Sequence, residues 1–87
     1  MDFKFDFYFF AMNISIIIFG QLTEITGHSL VLENIHDTNA LVNTLHQQFP
    51  TLATVKYKIA VNRKLVNENT LLPLNCEVAL LPPFSGG

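Results

Sequence analysis

"CEVALLPPFSGG", residues 76–87, decides how the rest of the chain is read. Its first half is apolar on both faces of an extended strand, and Pro82 and Pro83 stop that strand because proline has no amide proton for a ladder. One aromatic, one serine and two glycines follow. Glycine loses the most freedom on being ordered and has no side chain to pack. A terminal glycine pair with no packing role normally frays. Here the group exposed beyond the glycines is the α-carboxylate itself. Residues 82–87 therefore read as a C-terminal tail of more than filler, with a stiff base at Pro82 and Pro83, an aromatic at Phe84, and a thin tip of Ser85, Gly86 and Gly87.

A strand apolar on both sides belongs in the middle of a sheet. The chain offers one other such strand, "NISIIIF" at 13–19, where Ile14, Ile16 and Ile18 oppose Ser15, Ile17 and Phe19. Gly20 breaks it, and "QLTEITG" has room for one helical turn closed by Gly27 in a left-handed conformation. "HSLVLENI" reads as a second strand, antiparallel to the first. The period then switches in "DTNALVNTLHQQFP", where Leu41, Val42, Leu45 and Phe49 form one helical stripe. Thr38 or Asp37 is the expected N-cap, and Pro50 ends this helix of about three turns. "KYKIAVN" alternates again, "NRK" turns, "LV" pairs briefly, and "NENTLLPLN" is loop. The predicted fold is α+β, a mixed sheet wrapped around one main helix with the last strand beside the first.

The opening segment stands apart. In "MDFKFDFYFF", Phe3, Phe5, Phe7 and Phe9 alternate with Asp2, Lys4, Asp6 and Tyr8. It lacks the basic start and small-residue cleavage site of a secretory signal. The uncharged run from Phe7 to Phe19 is 13 residues, short of the roughly 20 needed to span a bilayer. Residues 1–11 are either a strand-like arm or an extension upstream of a start at Met12, and an exposed phenylalanine arm is an aggregation hazard. The domain is thus placed at 12–81, with Met12 as candidate start.

Composition narrows the function classes. At 49% apolar and 14% charged, 87 residues make one ordered domain. A net charge of −2 with five basic residues leaves no basic face for nucleic acid or anionic lipid. The single cysteine, Cys76, excludes an internal disulfide and fits a reducing, cytoplasmic compartment. No positive neighbour activates Cys76, so it reads as a packed thiol. His28, His36 and His46 lack metal-site spacing, and no metal or permanently bound cofactor is expected. Lys56, Lys58, Arg63 and Lys64 form a small basic cluster, either solvated or steering an acidic partner. No nucleophile–base or acid–base set can be assembled, so the chain is not an enzyme by itself.

The last strand running into "LLPPFSGG" resembles the C-terminus of the small, sulfur-carrying subunit of molybdopterin synthase. That family closes on a double proline, a mostly aliphatic residue, a variable residue and Gly-Gly. "IIIFGQLTEITG" is similar to its opening strand and helical turn, and "VNRKLV" to its Val-Asn hairpin. The resemblance covers Asn13 to Gly87 and implies the β-grasp, ubiquitin-like fold. Two departures stand out: "PLNCE" replaces an acidic, glycine-containing turn, and Phe84 is bulkier than the usual valine, implying a wider partner channel.

The resemblance implies that an ATP-dependent activating enzyme joins the Gly87 carboxylate to AMP. Sulfur then replaces AMP, and the resulting thiocarboxylate passes sulfur to a cyclic pterin precursor on the large subunit, in a heterotetramer. Such chemistry suits the tail. Two enzymes must reach one carbonyl carbon, and Gly86 and Gly87 have no Cβ to collide with a slot. Ordering six free residues would cost on the order of 6–12 kcal/mol. Pro82 and Pro83 reduce that sum with φ already fixed, and Phe84 recovers part of it as an interface anchor. The expected partner contact is the sheet face near Phe84, burying roughly 1,600 Å² in total.

Other readings compete. The thiamine-pathway sulfur carrier shares the fold and the Gly-Gly but usually lacks the double proline. A ubiquitin-like protein modifier would form isopeptide bonds to lysines of other proteins. A plain interaction module would tolerate loss of Gly86 and Gly87.

Overall fold

The computed structural model describes residues 13–83. β1 spans Ile14–Ile18, and a 3₁₀ turn over Gly20–Leu22 runs into the short α1, Thr23–Thr26. β2 is Ser29–Leu32 and α2 is Thr38–Gln48. A second 3₁₀ turn, Pro50–Thr54, precedes β3 (Lys58–Val61), β4 (Lys64–Val66) and β5 (Val78–Leu81). The five strands lie in the order β2-β1-β5-β3-β4. β5 pairs parallel with β1 and antiparallel with β3, so the last strand lies beside the first and both are central, as their sequences predict. This is the β-grasp arrangement.

The period-2 pattern sorts the side chains. Ile14, Ile16 and Ile18 face α2 and are buried, as are Val78 and Leu80 in register opposite Ile16 and Ile18. From the other side Leu41 and Leu45 close the core, both fully buried, with Val42 and Phe49 packed partly against it. Four of these side chains, Ile16, Leu41, Leu45 and Leu80, have no exposure at all, which makes this one contiguous core between sheet and helix.

Asp37 is the N-cap of α2: its Oδ1 accepts from the Ala40 amide at 2.9 Å. The segment after β4 is more ordered than a composition-based loop. Asn69 Oδ1 accepts from the Asn39 amide at 2.9 Å, and its Nδ2 donates to Asp37 Oδ2 at 3.3 Å. The Thr70 amide donates to Thr38 Oγ1 while the Thr38 amide donates to the Thr70 carbonyl, each at 2.9 Å. These bonds satisfy amides that a helix start leaves without partners and strap the loop to α2. At the β3–β4 hairpin, Asn62 and Arg63 both have positive φ, 51° and 69°, the backbone that two-residue hairpins require.

The outer face of the sheet has no covering layer among the described residues. Ile17 is half exposed, Val31 is 63% exposed, and Phe19 and Leu65 are exposed as well. β1 is therefore central in hydrogen bonding but buried on one face only. β5 also starts later than its apolar run: Cys76 lies before it, its amide donating to the Pro73 carbonyl at 3.3 Å.

Candidate functional site

The tail grows out of the middle strand of the sheet. β5 is held on both sides, and the Leu80 carbonyl accepts from the Phe19 amide at 3.0 Å where β1 ends. One residue later the chain meets Gly20. Its φ of +65° places it in the left-handed region, and a Cβ there would lie 2.5 Å from Pro82 Cγ. Glycine at position 20 thus serves two ends: it turns the chain from β1 into the helical segment, and it leaves the space that Pro82 fills. Pro83 lies in a turn, and both prolines are half-buried.

Beside them is a groove of about 470 Å³, lined by Leu22, Ile25, Val55, Pro82 and Pro83, with Gln21, Glu24 and Lys56 as its polar side. Lys58 stands in register with Leu81, the last strand residue before the prolines. The basic cluster expected from the sequence is divided by the length of β3. Lys56 and Lys58 stand at the tail end, while Arg63 and Lys64 stand at the hairpin end, where Arg63 pairs with Glu77 at 3.2 Å. Both members of that pair are strongly exposed, so it contributes little to stability.

The remaining candidates lie elsewhere. Cys76 is at the opposite end of β5 from Pro82, half-buried, and burial pushes its thiol above the ordinary range. A raised thiol is the reverse of what a nucleophile needs. His46 Nε2 and the Tyr57 hydroxyl lie 2.8 Å apart, with their rings edge to face. The described residues hold no group of three or more His, Cys, Asp or Glu able to bind a metal. No helix among them is long and apolar enough to cross a membrane. Phe84, Ser85, Gly86, Gly87 and the 1–11 segment lie outside the described residues.

Among the described residues the site is therefore a root without a pocket of catalytic groups: a central strand and a proline seated on a glycine. Residues 16–87 match the sequence model of the ThiS family. The chain belongs to the ThiS family. ThiS-family proteins are small sulfur carriers with a ubiquitin-like β-grasp fold, not catalysts in their own right. The match runs through β1, the helical turn, α2, β5 and the tail as far as Gly87. Sequence reasoning took Gly20 only as a strand breaker and missed that it seats Pro82. The available signal was a glycine and a proline at the matched ends of two central strands.

Proposed function

We propose that this ThiS-family carrier is the sulfur-donating small subunit of molybdopterin synthase, working with a large subunit in a heterotetramer. The observation that carries this reading is the root, Pro82 seated on Gly20 and followed by Pro83, after which the sequence runs "FSGG". An activating enzyme uses ATP to convert the Gly87 carboxylate to an acyl-adenylate, releasing pyrophosphate. A sulfur donor displaces AMP and leaves a thiocarboxylate. The large subunit, which supplies the catalytic site, directs that sulfur to a cyclic pterin precursor, and water restores the carboxylate.

Each step asks something physical of this chain. A carboxylate is a poor acyl donor, so a leaving group must be installed first. The tail must then enter two different proteins in turn. A fixed root limits the directions it searches, and pre-set φ values at two of six positions lower the entropy lost on insertion. Phe84 anchors the tail in the partner, Ser85 and Gly86 thread the slot, and Gly87 presents the reacting carbon. Pro82, Pro83 and the exposed sheet face around Phe19 and Leu81 form the rest of the contact. Lys56 and Lys58 place positive charge beside the exit, suited to an acidic partner rim.

The test is intact-mass spectrometry of the chain with its activating enzyme, ATP and a sulfur source, followed by reaction with the large subunit and the pterin precursor. A gain of about 16 mass units on the C-terminal peptide, lost again as pterin is sulfurated, is the expected result. Loading without transfer to the pterin, but with transfer in thiazole formation, would place the carrier in the thiamine pathway instead. Lysine-linked conjugates that survive denaturation and reductant would make it a protein modifier.

A further inference from the structure

Three segments far apart in sequence meet beside the tail root. Leu22 ends the first 3₁₀ turn and Ile25 lies on α1, Val55 and Lys56 precede β3, and Pro82 and Pro83 follow β5. They enclose the groove of about 470 Å³. Its floor is firm, since Leu22 is buried in the core and Ile25 packs against that core. Its walls are tied in place. Thr23 Oγ1 donates to the Gly20 carbonyl at 2.8 Å, the Val55 amide donates to the Leu52 carbonyl at 3.4 Å, and Pro82 fills the space that Gly20 leaves. Filling a groove that is already shaped costs little further ordering.

The rim is charged in both signs. Glu24 and Lys56 line it, and both are exposed. Among the described residues Arg63 and Glu77 form the one ion pair, at the other end of β5, so Glu24 and Lys56 share a groove without neutralising each other. An occupant that matches this surface has an apolar side chain for the floor, an acid toward Lys56 and a base toward Glu24. Pro83 lines the groove and stands four residues before Gly87. Four residues reach at most about 14 Å, so a protein element seated in the groove is tethered within that distance of the C-terminal carboxylate. Activation of that carboxylate precedes every later use of it.

We propose that the groove is the docking notch for the enzyme that adenylates Gly87. That enzyme enters it with an apolar side chain, between an acidic group on Lys56 and a basic group on Glu24, and this grip holds the root while the tail reaches the nucleotide. This inference rests on the carrier reading and is the same for a molybdenum or a thiamine carrier, because a carboxylate is a poor acyl donor in both. The groove residues bind and orient without touching the reacting carbon. Their loss therefore raises KM for loading and leaves kcat near wild type.

The test measures binding of the full chain to its activating enzyme by calorimetry before ATP is added, and then loading kinetics by intact mass. Val55→Asp changes a residue that is 38% exposed, and should raise Kd about tenfold or more, with KM rising alike and kcat within about twofold. Glu24→Lys and Lys56→Glu alter only exposed side chains. Each should raise Kd roughly threefold to tenfold, and less so at high salt. Leu74→Asp is the control, since Leu74 is 66% exposed and precedes β5 at the end remote from Pro82; it should bind as wild type does. Wild-type Kd in all three groove variants would overturn the proposal, and wild-type loading in the same assay would leave the carrier reading standing. Failure of the unmodified chain to load would overturn both. Nuclear Overhauser contacts from the Phe84 ring to the Ile25 and Val55 methyls in the free chain would also overturn the proposal, since the groove would then hold the chain's own tail.

Discussion

Gly20 and Pro82 occupy complementary space: the proline ring stands where any larger residue at position 20 would place its Cβ, 2.5 Å from Pro82 Cγ. Gly20→Ala therefore carries two costs. A left-handed backbone with a Cβ costs roughly 1–2 kcal/mol, and pushing the ring aside about 1–3 kcal/mol. We expect a loss of about 2–5 kcal/mol in chemical denaturation. We also expect slower thiocarboxylate loading, although Gly86 and Gly87 are untouched. Gly27→Ala is the control. Gly27 has φ +88° but open space around its Cβ position, so that variant should lose stability through strain alone and load at the normal rate. Equal loading defects in both variants would remove the special role of the Gly20–Pro82 contact.

Deleting Gly87 separates chemistry from folding. Among the described residues the last member of the core is Leu80, which is fully buried. The deletion is expected to abolish the gain of about 16 mass units while leaving the thermal midpoint unchanged. Phe84→Ala should behave differently, loading normally but weakening the complex with the large subunit. As an aromatic anchor it should raise Kd by tenfold or more, about 1.4 kcal/mol, read by calorimetry on the unloaded chain. A fall in melting temperature with either change would mean that the tail packs on the domain.

The features readable in the sequence were those with local periodicity. The switch from alternation to a helical stripe at Leu41, Val42 and Leu45 and back at Ile59 set the element order, and apolar runs at Ile14–Phe19 and Cys76–Leu81 marked the central pair. What stayed hidden depends on residues far apart in sequence. An isoleucine at position 17 reads the same whether its face is covered or open, because one helix can cover only one side of a sheet. Lys58 and Lys64 looked like one cluster, but β3 lies between them. Asn69 looked like a loop residue, and nothing nearby indicates that its amide meets Asp37 and Asn39. The Pro-Pro and Gly-Gly ending was legible as a motif, whereas the seat of Pro82 on Gly20 was not.

The Asp37 cap ties part of the chain's acid stability to a carboxylate. The Ala40 amide, then the Asn69 side chain, hydrogen-bond its ionised form and hold its pKa below the ordinary 3.8. A group depressed in the folded state contributes stability that is fully present above its unfolded pKa and is lost as pH falls through the folded value. Between pH 6 and 8, wild type should therefore melt above Asp37→Asn by a constant margin. Below about pH 4 the margin should shrink as the carboxyl protonates. A margin that stays constant down to pH 2 would mean that the cap acts through shape alone.

Cys76 offers a check that the sulfur travels on the tail and not on a thiol. Its side chain is partly packed against the core at the end of β5 remote from Pro82, and burial raises its pKa. Less thiolate at a given pH means slower alkylation. At pH 8, iodoacetamide should label the folded chain more slowly than the urea-unfolded chain, with the folded rate rising further as pH increases. Cys76→Ala should lose some packing stability yet gain sulfur at the C-terminus as wild type does. If loading disappeared in that variant while its circular dichroism and melting stayed close to wild type, a persulfide on Cys76 would have to precede the Gly87 thiocarboxylate. The proposed order, adenylate and then direct displacement by an external sulfur donor, would be wrong.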